Sequence, residues 1–203
     1  MELIQPIFVN QSGSTREAGL GINNSSYSQT DIIERIQKDV DLGVDSFLLF
    51  ITPDTKTWLP TWDFQAEVVN KIKNKFPKIQ LIVDVCLCST LPDGHCRVID
   101  KPDTSESLLI NLGRKLETAG ADVLAPSDMG DNTVSNLKQE TKKEVMAYVK
   151  WRSVFYSSFR DLAQSSPTSG RSYQLPVDNA FGMVATANQY KSQKADYIIL
   201  KPA

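Results

Sequence analysis

The sequence predicts an α/β protein built on a parallel sheet, on three observations. Short apolar runs alternate with stretches whose apolar residues recur at helical spacing, the rhythm of successive βα units. The apolar runs are nearly continuous, as strands buried on both faces require. Residues suited to chemistry collect just after those runs, where a β/α barrel gathers its functional loops.

Taken in order, strands are predicted at residues 3–9, 46–51, 80–86, 122–126, 144–148 and 196–201, each rich in Val, Ile, Leu or Phe. The Gly-, Ser- and Asn-rich segment 11–29 is expected to be a mobile loop. Helices are predicted at 31–42, 64–76 and 105–118, with Thr30 and Thr104 as cap neighbours and Gly43 and Gly120 as terminators. A fourth is expected at 179–191, after Pro176, with shorter helical pieces at 132–141 and 157–164. The 203 residues fit one domain, 1–203, long enough to bury a core without staples.

A formal net charge of -2, with both signs interspersed, offers no basic stripe for nucleic acid and no cationic face for a membrane. Small molecules are the expected partners. No apolar run approaches the roughly 18 residues that span a bilayer, and the start MELIQPIFVN is too short and acid-bearing for a signal peptide, so the expected location is cytoplasmic.

The 3 cysteines, Cys86, Cys88 and Cys96, are crowded together, which speaks for metal or chemistry over a disulfide framework. In DVCLCSTLPDGHC the first two lie two apart, on one side of an extended chain, and a Pro-Asp-Gly turn returns the third. Three converging thiolates suit zinc and leave a fourth position for water or substrate. The plainer reading is three reduced core cysteines. His95, the single histidine, is either a packed or solvent-facing residue or an outer-shell or proton-shuttling partner of that site. Asp84, inside LIVDVCL, is costly to bury unless it meets a cation or a metal-bound group.

Two lysines end apolar segments: Lys150 after VMAYV and Lys201 after YIIL. If the strands they end are neighbours, the two ammonium groups share one cavity and each disfavours the other's charge, a route to the neutral amine that attacks a ketone. The alternative is two solvated lysines.

These segments resemble the porphobilinogen synthase, or 5-aminolaevulinate dehydratase, family. DVCLC with DGHC resembles its zinc-binding segment, AGADVLAPSDM its fourth-strand signature, FYSSFRDLAQSSP with SYQLP its substrate loop, and ILKP the surroundings of its Schiff-base lysine. The resemblance implies a TIM-type (β/α)8 barrel that condenses two molecules of 5-aminolaevulinate to porphobilinogen with release of water. It implies Lys201 as the Schiff-base lysine, Lys150 as the second lysine, and Cys86, Cys88 and Cys96 as ligands of a catalytic Zn2+. Asp84 and Ser127 would line the site; Arg160 and Arg171 would face substrate carboxylate, with Tyr156 and Gln174 beside them. Some members also use Mg2+ allosterically, and the family is homo-octameric.

The departures are specific. The family has one more residue before the lysine matched by Lys150, its Gly-Arg loop is longer around the counterpart of Arg171, and Asp93 stands where zinc-type members often carry a histidine. Here Lys201 lies two residues from the last one, so the expectation is about six βα units of an incomplete barrel, without the family's N-terminal arm. The competing expectations are a non-catalytic paralogue or fragment that keeps zinc or ligand binding, and a lysine-dependent lyase or aldolase acting on another keto acid.

Overall fold

The computed structural model describes residues 3–17, 25–152, 157–165, 167 and 169–200. Its elements run β1 (Ile4–Asn10), β2 (Arg16–Glu17), β3 (Ser25–Tyr27), α1 (Asp31–Asp41), β4 (Ser46–Thr52), α2 (Asp63–Lys75), β5 (Gln80–Val85), α3 (Pro102–Ala119), β6 (Val123–Pro126), α4 (Thr133–Glu140), β7 (Glu144–Tyr148), α5 (Ser157–Leu162), α6 (Ala180–Ser192) and β8 (Tyr197–Ile199). The sheet order is β2-β3-β1-β4-β5-β6-β7-β8. From β1 through β8 each predicted strand pairs parallel with the next and adds to the same side. This is the winding of a β/α barrel wall rather than of a doubly wound sheet, and all six strands read from the sequence are present.

The strand alternation separates two apolar layers. Phe47, Leu49 and Ile51 of β4, with Leu81, Val83 and Val85 of β5, join the larger core that also takes Ile32, Ile36, Val69, Ile72, Leu109 and Leu116 from α1, α2 and α3. The intervening residues face the other way: Phe8, Phe50, Ile82, Val123, Ala125, Met146 and Tyr148 form a smaller cluster with Leu162, packed by Phe159. Helix α5 therefore sits on the inner side of the curved sheet. Asp84 follows Ile82 by two and shares that inner side.

Helix boundaries follow local chemistry. Pro102 occupies the first turn of α3, where a missing N–H costs nothing, so the helix starts before the predicted 105 and Thr104 does not cap it. Thr30 makes no capping bond either; Ser28 Oγ accepts from Asp31 N at 3.1 Å instead. Gly120 ends α3 at φ 110, a left-handed conformation open to glycine. Asn179 Oδ1 accepts from Gly182 N at 2.8 Å and so begins α6.

The segment 11–29 departs from the expected loop, because β2 and β3 lie within it. Ser26 and Tyr27 pair parallel with Phe8 and Val9, and the buried Asn10 amide donates to Ser26 O at 3.0 Å. Here the neighbouring strand, not the polar segment's own propensity, decides the conformation. Among the described residues no helix is long and apolar enough to cross a membrane.

Candidate active site

At the carboxyl ends of the parallel strands lies a cleft open to solvent. Strand ends supply Phe50, Ile51 and Thr52 of β4, Asp84 of β5, Ser127 after β6 and Tyr148 of β7; α5 supplies Phe159 and Arg160. Cys88, Cys96 and Gln174 complete the lining named from the sequence, and Met129, Ala163 and Ser165 close it.

The apolar side of the cleft is aromatic. Phe8 and Phe50 stack at 5.0 Å, and Phe159 meets both edge-on at 5.3 and 4.8 Å. Sequence reasoning passed over Phe50, Tyr148 and Phe159. For Phe50 and Tyr148 the signal, an inward position at a strand end, needs the register of the sheet, and Phe159 of α5 needs the packing of that helix on the inner layer.

The three thiols converge. Their sulfurs all lie within 4.8 Å of one another, and the Cys86 and Cys88 sulfurs are 3.3 Å apart, too long for a disulfide. Tetrahedral zinc with thiolates at about 2.3 Å separates its sulfurs by about 3.8 Å, so the set fits that ion with small adjustment. Cys86 and Cys88 are buried. The hydrogen bond of Cys86 to Cys88, its bond to Cys96 and burial push the Cys86 thiol well up. The bond from Cys86 pulls Cys88 down, but its bond with Cys96, burial and the nearby charges of Cys96 and Asp84 outweigh that and raise it too. A bound divalent cation reverses this balance, since a coordinating thiol is deprotonated outright.

His95 is 1% exposed and braces the loop. Its Nδ1 lies 3.0 Å from Tyr173 Oη and its Nε2 2.7 Å from Ser169 Oγ, while Tyr173 Oη accepts from Cys96 N at 3.2 Å. Both ring nitrogens are therefore engaged. Burial, then the neighbouring Cys96, raise the Tyr173 hydroxyl above its ordinary range. Tyr173 lies in the SYQLP segment but was not singled out there, and Ser169 had no sequence signal.

The basic residues divide. Arg160 faces the cleft; burial and then the adjacent Arg171 charge lower its pKa, so two guanidinium groups share one neighbourhood. Arg171 sits behind it, with Nη1 3.5 Å from Gln174 Oε1. Leu175 N donates to Lys150 O at 2.7 Å and Arg152 N to Leu175 O at 2.9 Å, docking the arginine loop on the end of β7. The Lys150 ammonium pairs with Asp131, and Lys150 is not among the residues lining the cleft. That hydrogen bond from Lys150 holds the Asp131 carboxyl below the usual range. Lys201 and Tyr156 lie outside the described residues.

A second cluster lies behind the thiols. The Arg97 guanidinium pairs with Asp128, which is 1% exposed, and with Glu106 at 2.7 Å. Asp128 Oδ2 also accepts from Thr133 Oγ1 at 2.9 Å and Gly130 N at 3.0 Å. Burial raises the Asp128 carboxyl to about 6 against the pull of Arg97 and Thr133.

Comparison with known proteins places this arrangement. The family model described as Delta-aminolevulinic acid dehydratase matches residues 1–203. Delta-aminolevulinic acid dehydratase of Halalkalibacterium halodurans is 31% identical over 221 residues, covering 100% of this chain and 67% of the relative; that of Dictyostelium discoideum is 32% identical over 232 residues, covering 100% and 68%. The solved delta-aminolevulinic acid dehydratase of Toxoplasma gondii ME49, in complex with porphobilinogen, superposes with TM-score 0.89 at 27% identity, over 98% of this chain and 63% of that one. The carboxyl transferase domain of Rhizobium etli pyruvate carboxylase, at TM-score 0.57 and 12% identity over 97% of this chain and 26% of that one, shares the fold alone. The chain thus spans about two thirds of the length of the curated relatives and 63% of the Toxoplasma chain.

Proposed function

The chain belongs to the delta-aminolevulinic acid dehydratase family, and on that premise we propose that it is a porphobilinogen synthase, condensing two molecules of 5-aminolaevulinate with loss of water. One observation carries the reading: two members of a three-thiol cluster, Cys88 and Cys96, open with a carboxylate and a guanidinium onto one cleft at the carboxyl ends of parallel strands.

In this reading Arg160, with Arg171 behind it, neutralises a substrate carboxylate; relief of the repulsion between the two guanidinium groups adds to that binding. The aromatic side formed by Phe50 and Phe159 takes the carbon chain and excludes water. Lys201 supplies the amine for the Schiff base, and Asp84, Ser127 and Gln174 orient the polar groups. Cys86, Cys88 and Cys96 would hold Zn2+, which supplies a Lewis acid that polarises the second substrate. The proposed location is the cytoplasm. Mg2+ as an allosteric ion and octameric assembly are carried from the family.

The test uses the full chain with zinc and 5-aminolaevulinate, following porphobilinogen formation and trapping the lysine adduct with borohydride. The expected result is product, with the reduced adduct on Lys201 and none in Lys201→Ala. Trapping lost in Lys150→Ala but kept in Lys201→Ala would reassign the nucleophile. The Lys150–Asp131 ion pair, away from the cleft lining, favours one second reading: zinc and ligand binding without turnover. It expects bound zinc, no adduct and no product.

A further inference from the structure

The three thiols do not have equal support. Cys86 and Cys88 immediately follow β5, whose ladders to β4 and β6 fix them. Cys96 returns on a loop, and a metal site is only as good as the placement of its least constrained ligand. The residue after it, Arg97, is anchored to elements beyond that loop. Arg97 reaches across to the β6–α4 connection, pairs with the buried Asp128, and holds Glu106 of α3 at 2.7 Å with its other nitrogen. Thr133 and Gly130 N complete the Asp128 carboxylate, and Asn136 Nδ2 donates to Glu106 Oε2 at 2.9 Å, so both carboxylates are held from two sides.

Gly130 is shaped for this. A Cβ built there would stand 1.8 Å from Arg97 Nη1, 2.4 Å from Thr133 Oγ1 and 2.6 Å from Asp128 Oδ2. Only a residue without a side chain lets the guanidinium cross. The anchored segment also touches the cleft, because Ser127 and Met129, on either side of Asp128, both line it.

We infer that Arg97, anchored on Asp128 across Gly130, is a positioning residue that holds the Cys96 thiol in register with Cys86 and Cys88 for a divalent metal. The inference rests on the three-thiol reading above. Arginine suits the task because its planar fork fixes direction as well as distance, which lysine does not.

The experiment measures Zn2+ affinity of the full chain by competition with a chromophoric chelator, and the absorption spectrum of its Co2+ form, well below the unfolding temperature. Arg97→Lys keeps the charge and loses the fork. Gly130→Ala keeps Arg97 and evicts its guanidinium, the flexible end of a long side chain. Both variants are expected to bind Zn2+ about 10- to 100-fold more weakly, the loss typical when an outer-shell partner of a metal ligand is removed, with a shifted Co2+ spectrum. Folded variants that bind zinc with unchanged affinity overturn the inference, even if they melt earlier, since that result marks a structural role only. Should Gly130→Ala not fold, Arg97→Lys decides alone. Zinc binding absent from the unsubstituted chain instead sinks the three-thiol reading, and the positioning role with it.

Discussion

Asp128 carries a charge in one of the least accessible places in the molecule, and its protonation has a calculable effect. Its pKa is raised from 3.8 to about 6, chiefly by burial, so the folded state holds the proton where the unfolded state has lost it. The stabilisation from that proton is complete below about pH 4 and disappears as pH rises through about 6, an upper bound of about 3 kcal/mol for two pKa units. In the zinc-free chain, the unfolding free energy of the unsubstituted protein relative to Asp128→Asn is expected to fall between pH 4 and 7 and to level off above. Urea unfolding across that range checks it; a difference that grows with pH would mean the Arg97 attraction outruns burial. The cysteine trio was legible in the sequence because its spacing is local. Asp128 and Arg97 were not, being joined across 31 positions with no periodic pattern between them, and an arginine beside a cysteine reads as a surface residue until its partner is placed.

At the scale of elements, α6 has the most sharply defined start among the helices described. The Asn179 side chain accepts from Gly182 N, and the helix behind it buries Thr186 and Tyr190 and leaves Phe181 and Val184 exposed. Asn179→Ala is expected to cost about 1 kcal/mol, read as a lower thermal midpoint with unchanged zinc affinity. Tyr190 Oη donates to Gly130 O at 3.1 Å, so a loss of zinc affinity as well would show that α6 transmits its support to the anchored segment. The helices at 31–42, 64–76 and 179–191 could be read from the sequence within a residue or so from their helical stretches, although of the three only the last has a side-chain cap bond at its start. The short strands β2 and β3 could not, since Arg16, Glu17, Ser25 and Ser26 carry no strand preference and owe their conformation to β1 and to each other.

For the whole molecule, the proposed three-thiol site would make zinc a ligand that binds the native state more tightly than the unfolded chain. Free zinc at about 100 times its dissociation constant is then expected to add about 2.7 kcal/mol of stability, which for a chain of this size raises the thermal midpoint by about 5–10 °C. Calorimetry with and without a chelator tests this, and a midpoint indifferent to zinc would count against the three-thiol site. The parallel sheet was legible in the sequence from continuous apolar runs. Its curvature was not, since the inner layer of Phe8, Phe50, Ile82 and Tyr148 shows only when register separates it from the helix-facing layer.

The strand order also sets a timetable. Apart from β3, which pairs on the other side of β1, each new parallel strand from β1 through β4 to β8 joins the edge left by the one before it, so most of the sheet can grow in the direction the ribosome delivers it. On that schedule the thiols are all synthesised before Asp128 follows, 31 positions after Arg97. At about 5–20 residues per second this leaves an interval of about 2–6 s, during which the emerging chain can present three thiols without the Arg97–Asp128 ion pair.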